Sequence, residues 1–364
     1  MRKFFLLIIS LLFILPLFCL GQQKENNIKV YNEIFLTLKN NYPLFQYRSY
    51  YSIDSAYNKY KLEALNSKSE TDLADCCCRM IGALEDFHVR IFVKEQKCFA
   101  LSTPLNWHRI FHNDSLQKVF WSNSDSTLYK AGFNKMKEAF LDGQSPMIRY
   151  ASSEGIGYLN ITRFQLKTST DFSRRDANAL ESFMDTLVKA FKPINALIID
   201  LRSSMGGEVE YAELIASRLT KEKRQYSYTV QFKTSHDSLE PIKHYIIPKG
   251  IDQLNVPIVL LVNKVTRSAA EDFTLMVKQL PNVYLIGEQT WGALARSRMY
   301  KVSNGWKLQY SIEKVYSKEG IIYEGRGIPV DARLDHSWND ILSREDRMVH
   351  EALLYIQKNE FTNH

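Results

Sequence analysis

Hydrophobic positions change their period several times along the chain. Between residues 28 and 84, Ile28, Tyr31, Ile34, Phe35 and Leu38 share one face of a helix, and Leu73, Met80, Ile81 and Leu84 form a second helical stripe. The segment Asn40-Asn41-Tyr42-Pro43 predicts a turn between helices. Val89 to Val93 predicts a strand with His88 at its mouth, and residues 98–150 are aromatic-rich and mixed, with turns at Gly132 and at Asp142-Gly143-Gln144-Ser145-Pro146. From Gly155 a regular alternation begins. GIGYLNITRF (155–164) reads as a strand, Asp176 to Phe191 as an amphipathic helix, and NALIIDLR (195–202) as a buried strand before a glycine turn that opens another helix. After a polar excursion at 221–250 come PIVLLV (257–262), a helix with Phe273, Met276, Val277 and Leu280 on one face, VYLIGE (283–288), and paired strands around Trp306 to Val315. Continuous apolar runs suit strands buried on both faces, and their alternation with helices predicts an α/β core with a largely parallel sheet. No internal repeat or low-complexity linker interrupts it.

The amino terminus reads differently. Arg2 and Lys3 precede an apolar stretch from Phe4 to Leu20, then Gly21 and polar sequence, which is the order of a secretory leader ending at residue 21. The stretch is short for a membrane span, and no later segment is long and apolar enough for one. Cys19 as a lipid-bearing residue is the weaker alternative, because Phe18 before it is bulky. The expected location is therefore periplasmic or extracellular. Without the leader, 45 basic side chains stand against 40 acidic ones, too modest and dispersed a surplus for nucleic acid. Cys76, Cys77, Cys78 and Cys98 would then meet an oxidising compartment. Neighbouring cysteines on a helix point apart, so at most one of the first three is expected to reach Cys98. Their spacing matches no metal site.

Candidate chemistry centres on Asn263-Lys264-Val265-Thr266-Arg267-Ser268-Ala269-Ala270-Glu271, at a junction between strand and helix. Two readings of Ser268 compete. As S-x-x-E, Ser268 and Glu271 form a capping box, the serine oxygen accepting the backbone N–H three residues on. As a nucleophile, Ser268 sits where small residues follow and a helix start offers bare N–H groups to a developing oxyanion. Gly206-Gly207, in the turn after a buried strand, supplies further bare N–H groups. Both turns leave the carboxyl ends of strands, which in a parallel sheet share one edge. A base is also required. His108, His112, His236, His244, His336, His350 and His364 show no evident partner, whereas His88 lies in Asp86-Phe87-His88 at a junction between helix and strand.

These stretches together resemble the S41 serine peptidases, the tail-specific or C-terminal processing peptidases, whose core is similar to the ClpP/crotonase architecture. The carrying motifs are GIGYLNITRF, ALIIDLRSSMGGE, PIVLLVNKVTRSAAEDF, YLIGEQTWGALARS and IIYEGRGIPVD, in family order over residues 155–334. The resemblance implies Ser268 as nucleophile, with an oxyanion hole from its own N–H or that of Ala269 and from Gly206 or Gly207. It departs from the processing branch, which places a lysine after G-x-x-T-x-G. Here Ala293 follows Gly287–Gly292, and Arg296 cannot accept a proton. The lysine-free branch, tricorn-like or retinoid-binding-protein-like, is similar instead. It implies His88 as base, through a D-x-H motif, and Glu324 as the third member, through E-G-x-G-I, although Pro329 is shifted by one residue against that pattern.

The chain is expected to divide into five segments. They are a leader at 1–21, a helical region at 22–93 ending in the strand that bears His88, and a connecting segment at 94–154 too short for a full PDZ domain. A peptidase core at 155–340 and a C-terminal helix at 341–364 complete the chain. The expected function is an exported serine peptidase acting on peptides or proteins through an acyl-enzyme, with no cofactor, no metal and no nucleic-acid partner. The alternative is an inactive module on the same fold that binds peptides or apolar ligands, with Phe99, Trp107, Phe111, Phe120 and Trp121 as candidate lining residues, although core packing is the first expectation for these rings. A crotonase-like acyl-CoA enzyme shares the fold but gives Ser268 no role.

Overall fold

The computed structural model describes residues 2–48, 52–93, 96–98, 106–141, 146–166, 173–234 and 237–359. Helices α1 (Arg2–Asn41), α2 (Phe45–Arg48), α3 (Ile53–Leu65) and α4 (Glu70–Ile81) lead into strands β1 (Arg90–Val93) and β2 (Gln96–Cys98). Then come α5 (Asn106–Ile110), α6 (Asp114–Lys130), β3 (Lys137–Ala139), β4 (Ile148–Ser153), β5 (Ile156–Ile161), α7 (Arg174–Phe191), β6 (Ala196–Asp200) and α8 (Val209–Ala216). Strands β7 (Arg224–Thr234), β8 (Asp237–Ser238) and β9 (Ile242–Ile246) precede β10 (Ile258–Val262), α9 (Ala269–Lys278) and β11 (Val283–Gly287). Last are β12 (Ser297–Lys301), β13 (Lys307–Ser311), β14 (Glu313–Ser317), β15 (Ala332–Arg333), α10 (Asn339–Leu342) and α11 (Arg347–Lys358). The chain divides into two compact units. One is Met1–Ser102 with Val230–Glu240 and Ala295–Lys314; the other is Thr103–Thr229 with Pro241–Leu294 and Val315–His364.

In the first unit α1 runs unbroken through position 21 and ends at Asn41, where the Asn-Asn-Tyr-Pro turn is expected. Among the described residues no helix is long and apolar enough to cross a membrane. Ser69 starts α4 with a reciprocal capping box: its hydroxyl accepts the Asp72 N–H at 3.1 Å, and the Asp72 carboxylate accepts the Ser69 N–H at 3.0 Å. The helix then buries Leu73, Cys77, Met80 and Ile81. Cys78 is disulfide-bonded, whereas Cys76 and Cys77 are free and buried. An antiparallel sheet in the order β12-β13-β1-β2 completes this unit, with Ile91 opposite both Leu308 and Cys98. Glu33 ties it to α1 by accepting from the Tyr300 hydroxyl and the Ser303 N–H.

The second unit holds a seven-stranded sheet in the order β15-β11-β10-β6-β5-β4-β3, parallel from β15 to β5 and antiparallel at β4 and β3. This is the predicted α/β core. Every residue of β6 and β10 is buried. Their register pairs Leu260 with Ile199 and Leu261 with Asp200, so both strands end at the same level. The turns that follow, one carrying Gly206 and one carrying Ser268, therefore leave the same sheet edge.

Two segments differ from expectation. The stretch read as mixed contains α6, a helix of 17 residues. Its buried face includes Asn123, Ser124 and Thr127 beside Phe120 and Leu128, so the apolar period that marks a helix is missing. The polar excursion contains β7, an 11-residue strand paired with β9 from Arg224 opposite Ile246 to Thr229 opposite Ile242. Ser227 and Thr229 take buried strand positions there that apolar residues ordinarily mark. Of the aromatic residues singled out, Trp107, Phe111 and Phe120 pack as core with Ile110 and Val265. Phe99 lies outside the described residues, as do His236, His364 and most of the predicted turn at 142–146.

A buried ion network joins the end of β6 to α11. The Arg202 guanidinium donates to both oxygens of Asp200, at 3.0 and 2.6 Å, and to both oxygens of Asp346, at 2.9 and 2.7 Å. Asp346 also caps α11, accepting the N–H groups of Met348 and Val349. Burial alone would raise the Asp346 carboxyl, but the Arg202 charge and hydrogen bonds outweigh it and hold the group below the ordinary carboxylate range. Arg202→Ala leaves two buried carboxylates without their counter-charge and is expected to lower stability by about 3–5 kcal/mol in urea unfolding. A carboxyl depressed in the native state stabilises fully above the unfolded range, and that contribution is lost as pH falls through the native value. The stability difference between wild type and Asp346→Asn should therefore be largest near neutrality and shrink on acidification; a difference that grows on acidification contradicts this account.

Candidate active site

Ser268 stands at the amino end of α9 with φ 56° and ψ −133°. An L-residue rarely adopts this conformation, and strain of this kind costs about 1–3 kcal/mol. Its neighbours hold it. The Ser268 N–H donates to the Ala293 carbonyl at 3.0 Å, and its own carbonyl accepts the N–H of Glu271 at 2.7 Å and of Asp272 at 3.2 Å. Two residues earlier, the Thr266 hydroxyl donates to the Leu201 carbonyl and its carbonyl accepts the Trp291 N–H. The serine thus sits on a sharp bend fixed from both sides.

The capping-box expectation fails here. No side-chain cap bond reaches from Ser268 to α9, because the positive φ replaces the extended conformation that such a cap uses. Glu271 does not reach back either. Its fully buried carboxylate turns to the loop after β11, where Oε1 accepts the Thr290 hydroxyl at 2.5 Å and the Gly292 N–H at 2.6 Å. Oε2 accepts the Ala293 N–H at 2.6 Å. The loop that receives the Ser268 N–H is therefore itself held by Glu271.

Gly206 lies directly against the serine. A Cβ on Gly206 would come within 2.6 Å of the Arg267 carbonyl oxygen, 2.7 Å of the Ser268 Cβ and 2.8 Å of the Ala269 nitrogen. With φ +88°, only glycine fits. Gly207 approaches Phe164 as closely: Phe164 N–H donates to Gly206, and Glu208 N–H donates to Phe164. Among the described residues the N–H groups of Gly206, Gly207 and Ala269 have no acceptor. Of the two donors expected on the serine side, Ser268's own N–H is engaged with Ala293, which leaves Ala269. Gly206 and the Ala269 amide thus lie close to Ser268, and bare N–H groups are the kind of donor that oxyanion stabilisation requires.

Glu324 is buried in the same unit, and its Oε2 accepts the Leu294 N–H at 3.0 Å. Leu294 follows Ala293, whose carbonyl takes the Ser268 N–H, so successive peptide units connect Glu324 and Ser268. The turn around Glu324 is tied to the loop after β11, because Gly325 N–H donates to the Gly292 carbonyl and Ile328 N–H to the Thr290 hydroxyl. Lys264 Nζ donates to the carbonyls of Thr290 and Arg326 and ties these two turns together.

His88 belongs to the first unit and is buried at the start of β1. Its N–H donates to Asp86 Oδ1 at 2.7 Å. Asp86 also accepts the Tyr42 hydroxyl at 2.7 Å and the Ser311 hydroxyl at 3.1 Å. Burial would raise the Asp86 carboxyl, but the Arg48 guanidinium, the His88 ring and these hydrogen bonds hold it below its ordinary range. One further histidine has partners that its sequence surroundings do not reveal. His336 is buried in the second unit between Asp340, 3.0 Å from Nδ1, and Asn263, 3.1 Å from Nε2. Asn263 is 73 positions away in the chain, so no local motif could show it.

Residues 155–334 match the model of peptidase family S41. Over 170 residues the chain is 30% identical to a carboxy-terminal processing protease, CtpA, of Bacillus subtilis strain 168, covering 46% of this chain and 34% of that one. It is 25% identical over 195 residues to a protein of Staphylococcus aureus strain N315 named Probable CtpA-like serine protease, covering 52% and 35% respectively. The chain thus spans about a third of the length of the curated relatives it matches. A crystal structure of a protein from Parabacteroides merdae, assigned as a peptidase, is similar in fold, with a TM-score of 0.71 at 21% identity over 90% of this chain and 96% of that one.

The strain at Ser268 has a measurable consequence. Ser268→Gly, which tolerates φ 56°, should be more stable than Ser268→Ala by about 1 kcal/mol or more in urea unfolding. Equal stability of the two variants, or a more stable alanine, would show that the backbone is not strained there.

Proposed function

Because the chain belongs to peptidase family S41, we propose that it is an exported serine peptidase of the lysine-free branch, with Ser268 as nucleophile, His88 as general base and Glu324 as the residue that orients His88. The observation that best supports this reading is the close approach of Gly206 to Ser268 and Ala269, beside a serine side chain that makes no cap bond to its helix.

Serine is almost wholly protonated near neutrality, so its hydroxyl needs a neutral imidazole to take the proton as the oxygen attacks a peptide carbonyl. In this mechanism His88 accepts that proton. The carbonyl oxygen becomes an oxyanion, and the Ala269 N–H with one glycine N–H stabilises it, each donor being worth about 3 kcal/mol. Collapse of the tetrahedral species breaks the C–N bond, and His88 returns the proton to the leaving amine. Water then attacks the acyl-enzyme by the same route and frees Ser268. Glu324 would hold the imidazole tautomer and stabilise its charged form; its tie to Leu294, next to the residue that holds Ser268, supports this role. No lysine follows the Gly287–Gly292 turn, and Lys264 is committed to two carbonyls, which supports a histidine base. The leader-like segment at 1–21 supports export, and the family supports peptides or proteins as substrates. Trp107, Phe111 and Phe120, the rings that a ligand-binding module would use, are packed as core, which favours the peptidase.

A fluorophosphonate probe should label wild type and fail on Ser268→Ala; an unlabelled wild type overturns the nucleophile assignment. On a cleaved peptide, His88→Ala should lower kcat/KM by about a thousandfold or more. Turnover equal to wild type would remove His88 from the mechanism.

A further inference from the structure

From the loop between β10 and α9 a chain of hydrogen bonds runs, within the second unit, to a histidine that the mechanism above does not use. His336 is buried, and the rings of Trp107, Phe111 and Phe120 meet it edge to face at 4.9, 5.6 and 5.3 Å between centroids. Its Nδ1 lies 3.0 Å from Asp340 Oδ2, and its Nε2 lies 3.1 Å from Asn263 Nδ2. Its backbone N–H donates to Glu288 Oε1, and Glu288 Oε2 accepts the Lys264 N–H. His336 is therefore tied to residues 263 and 264 by two routes.

The direction of each bond in the first route follows from its ends. Val265 N–H donates to Asn263 Oδ1 at 2.9 Å, so the Asn263 side chain turns its oxygen to Val265 and its NH2 to His336. An amide NH2 only donates. Nε2 of His336 is then the acceptor and carries no proton, which leaves the proton of the neutral ring on Nδ1, facing Asp340. Burial would raise the Asp340 carboxyl, but hydrogen bonds from His336, Arg347 and the Ser337 N–H outweigh it and hold the group below its ordinary range. A proton on Nε2 would confront the Asn263 NH2. Turning that amide round would relieve the clash only by taking the acceptor away from Val265.

Asn263 passes this constraint towards Ser268. Its N–H donates to Thr266 Oγ1 at 3.2 Å, and its carbonyl accepts the Thr266 N–H at 3.0 Å. Thr266, two residues before Ser268, is the residue bonded to Leu201 and Trp291. Val265 packs in one cluster with Trp107, Phe111 and Phe120, the rings that meet His336. We propose that His336 is a positioning residue for Ser268: by holding the Asn263 amide in one orientation, it fixes the loop that presents the serine hydroxyl. This role rests on the peptidase reading above, and it acts through Asn263 and Thr266, not on the reacting atoms. If His336 only fills space among aromatic rings, any ring of its shape serves as well.

Two substitutions in the full chain separate these roles. His336→Phe keeps a ring and its edge contacts but offers Asn263 no acceptor, whereas His336→Gln places an amide oxygen within reach of it. Labelling of Ser268 by a fluorophosphonate should slow about tenfold or more in His336→Phe and stay within about threefold of wild type in His336→Gln. Amide exchange at Val265 and Thr266 should quicken in the first variant and not in the second. That measurement needs no labelling, so an unlabelled wild type defeats the nucleophile assignment and leaves the relay testable. Nitrogen NMR of the wild type should show the neutral His336 ring protonated at Nδ1 and bare at Nε2. Asn263→Ala, which removes the middle of the relay, should slow labelling as His336→Phe does, and it serves as the test if His336→Phe does not fold. Labelling and exchange unchanged in folded His336→Phe or Asn263→Ala, equal losses in both His336 variants, or a neutral ring protonated at Nε2 overturns the proposal.

Discussion

One buried carboxylate, that of Glu271, fixes the surroundings of Ser268. It receives hydrogen bonds from Thr290, Gly292 and Ala293, and it leaves from the first turn of the helix that Ser268 begins. An acceptor with three donors in a dry site is costly to disturb, because removing it leaves buried donors unmatched. The loop it holds presents the Ala293 carbonyl to the Ser268 N–H and the Leu294 N–H to Glu324. The unusual backbone of Ser268 thus persists because its surroundings are over-determined. Sheet register adds the other half, since β6 and β10 end level and bring Gly206 against the serine.

His88 rests on a similar device within its own unit. Asp86 is buried and accepts from Tyr42, Ser311 and the His88 backbone, with Arg48 nearby. In both units a residue proposed for chemistry hangs from a carboxylate that does none. The Arg202 network shows the same economy in a purely structural role: it secures the end of β6, from which the glycine turn departs. Buried charge in this protein holds turns in place, where apolar packing alone offers little directional control.

Much of this was legible in the sequence for a physical reason. Strands β6 and β10 are buried on both faces, so their apolar runs are unbroken, and the turns after them stand out as polar, glycine-bearing interruptions. Helix α6 and strand β7 were not legible, because Asn123, Ser124 and Thr127 in one and Ser227 and Thr229 in the other occupy buried positions. Such residues are satisfied by partners distant in the chain, as Asn123 is by the Asp340 carbonyl. The pairing of Ser268 with Glu271 misled for a related reason. Four adjacent residues spell a capping box, yet the glutamate's partners lie 19 to 22 positions away. Glu324 was reachable through motif resemblance alone, since its contact with Leu294 spans 30 positions.

The most direct test of this account is amide hydrogen exchange of wild type and Glu271→Gln, read at Gly292, Ala293 and Ser268. A glutamine cannot accept all three hydrogen bonds, so those amides should exchange markedly faster in the variant while the amides of β6 and β10 keep their protection. Unchanged protection at Gly292, Ala293 and Ser268 in a folded Glu271→Gln protein would contradict the claim that this carboxylate holds the site together.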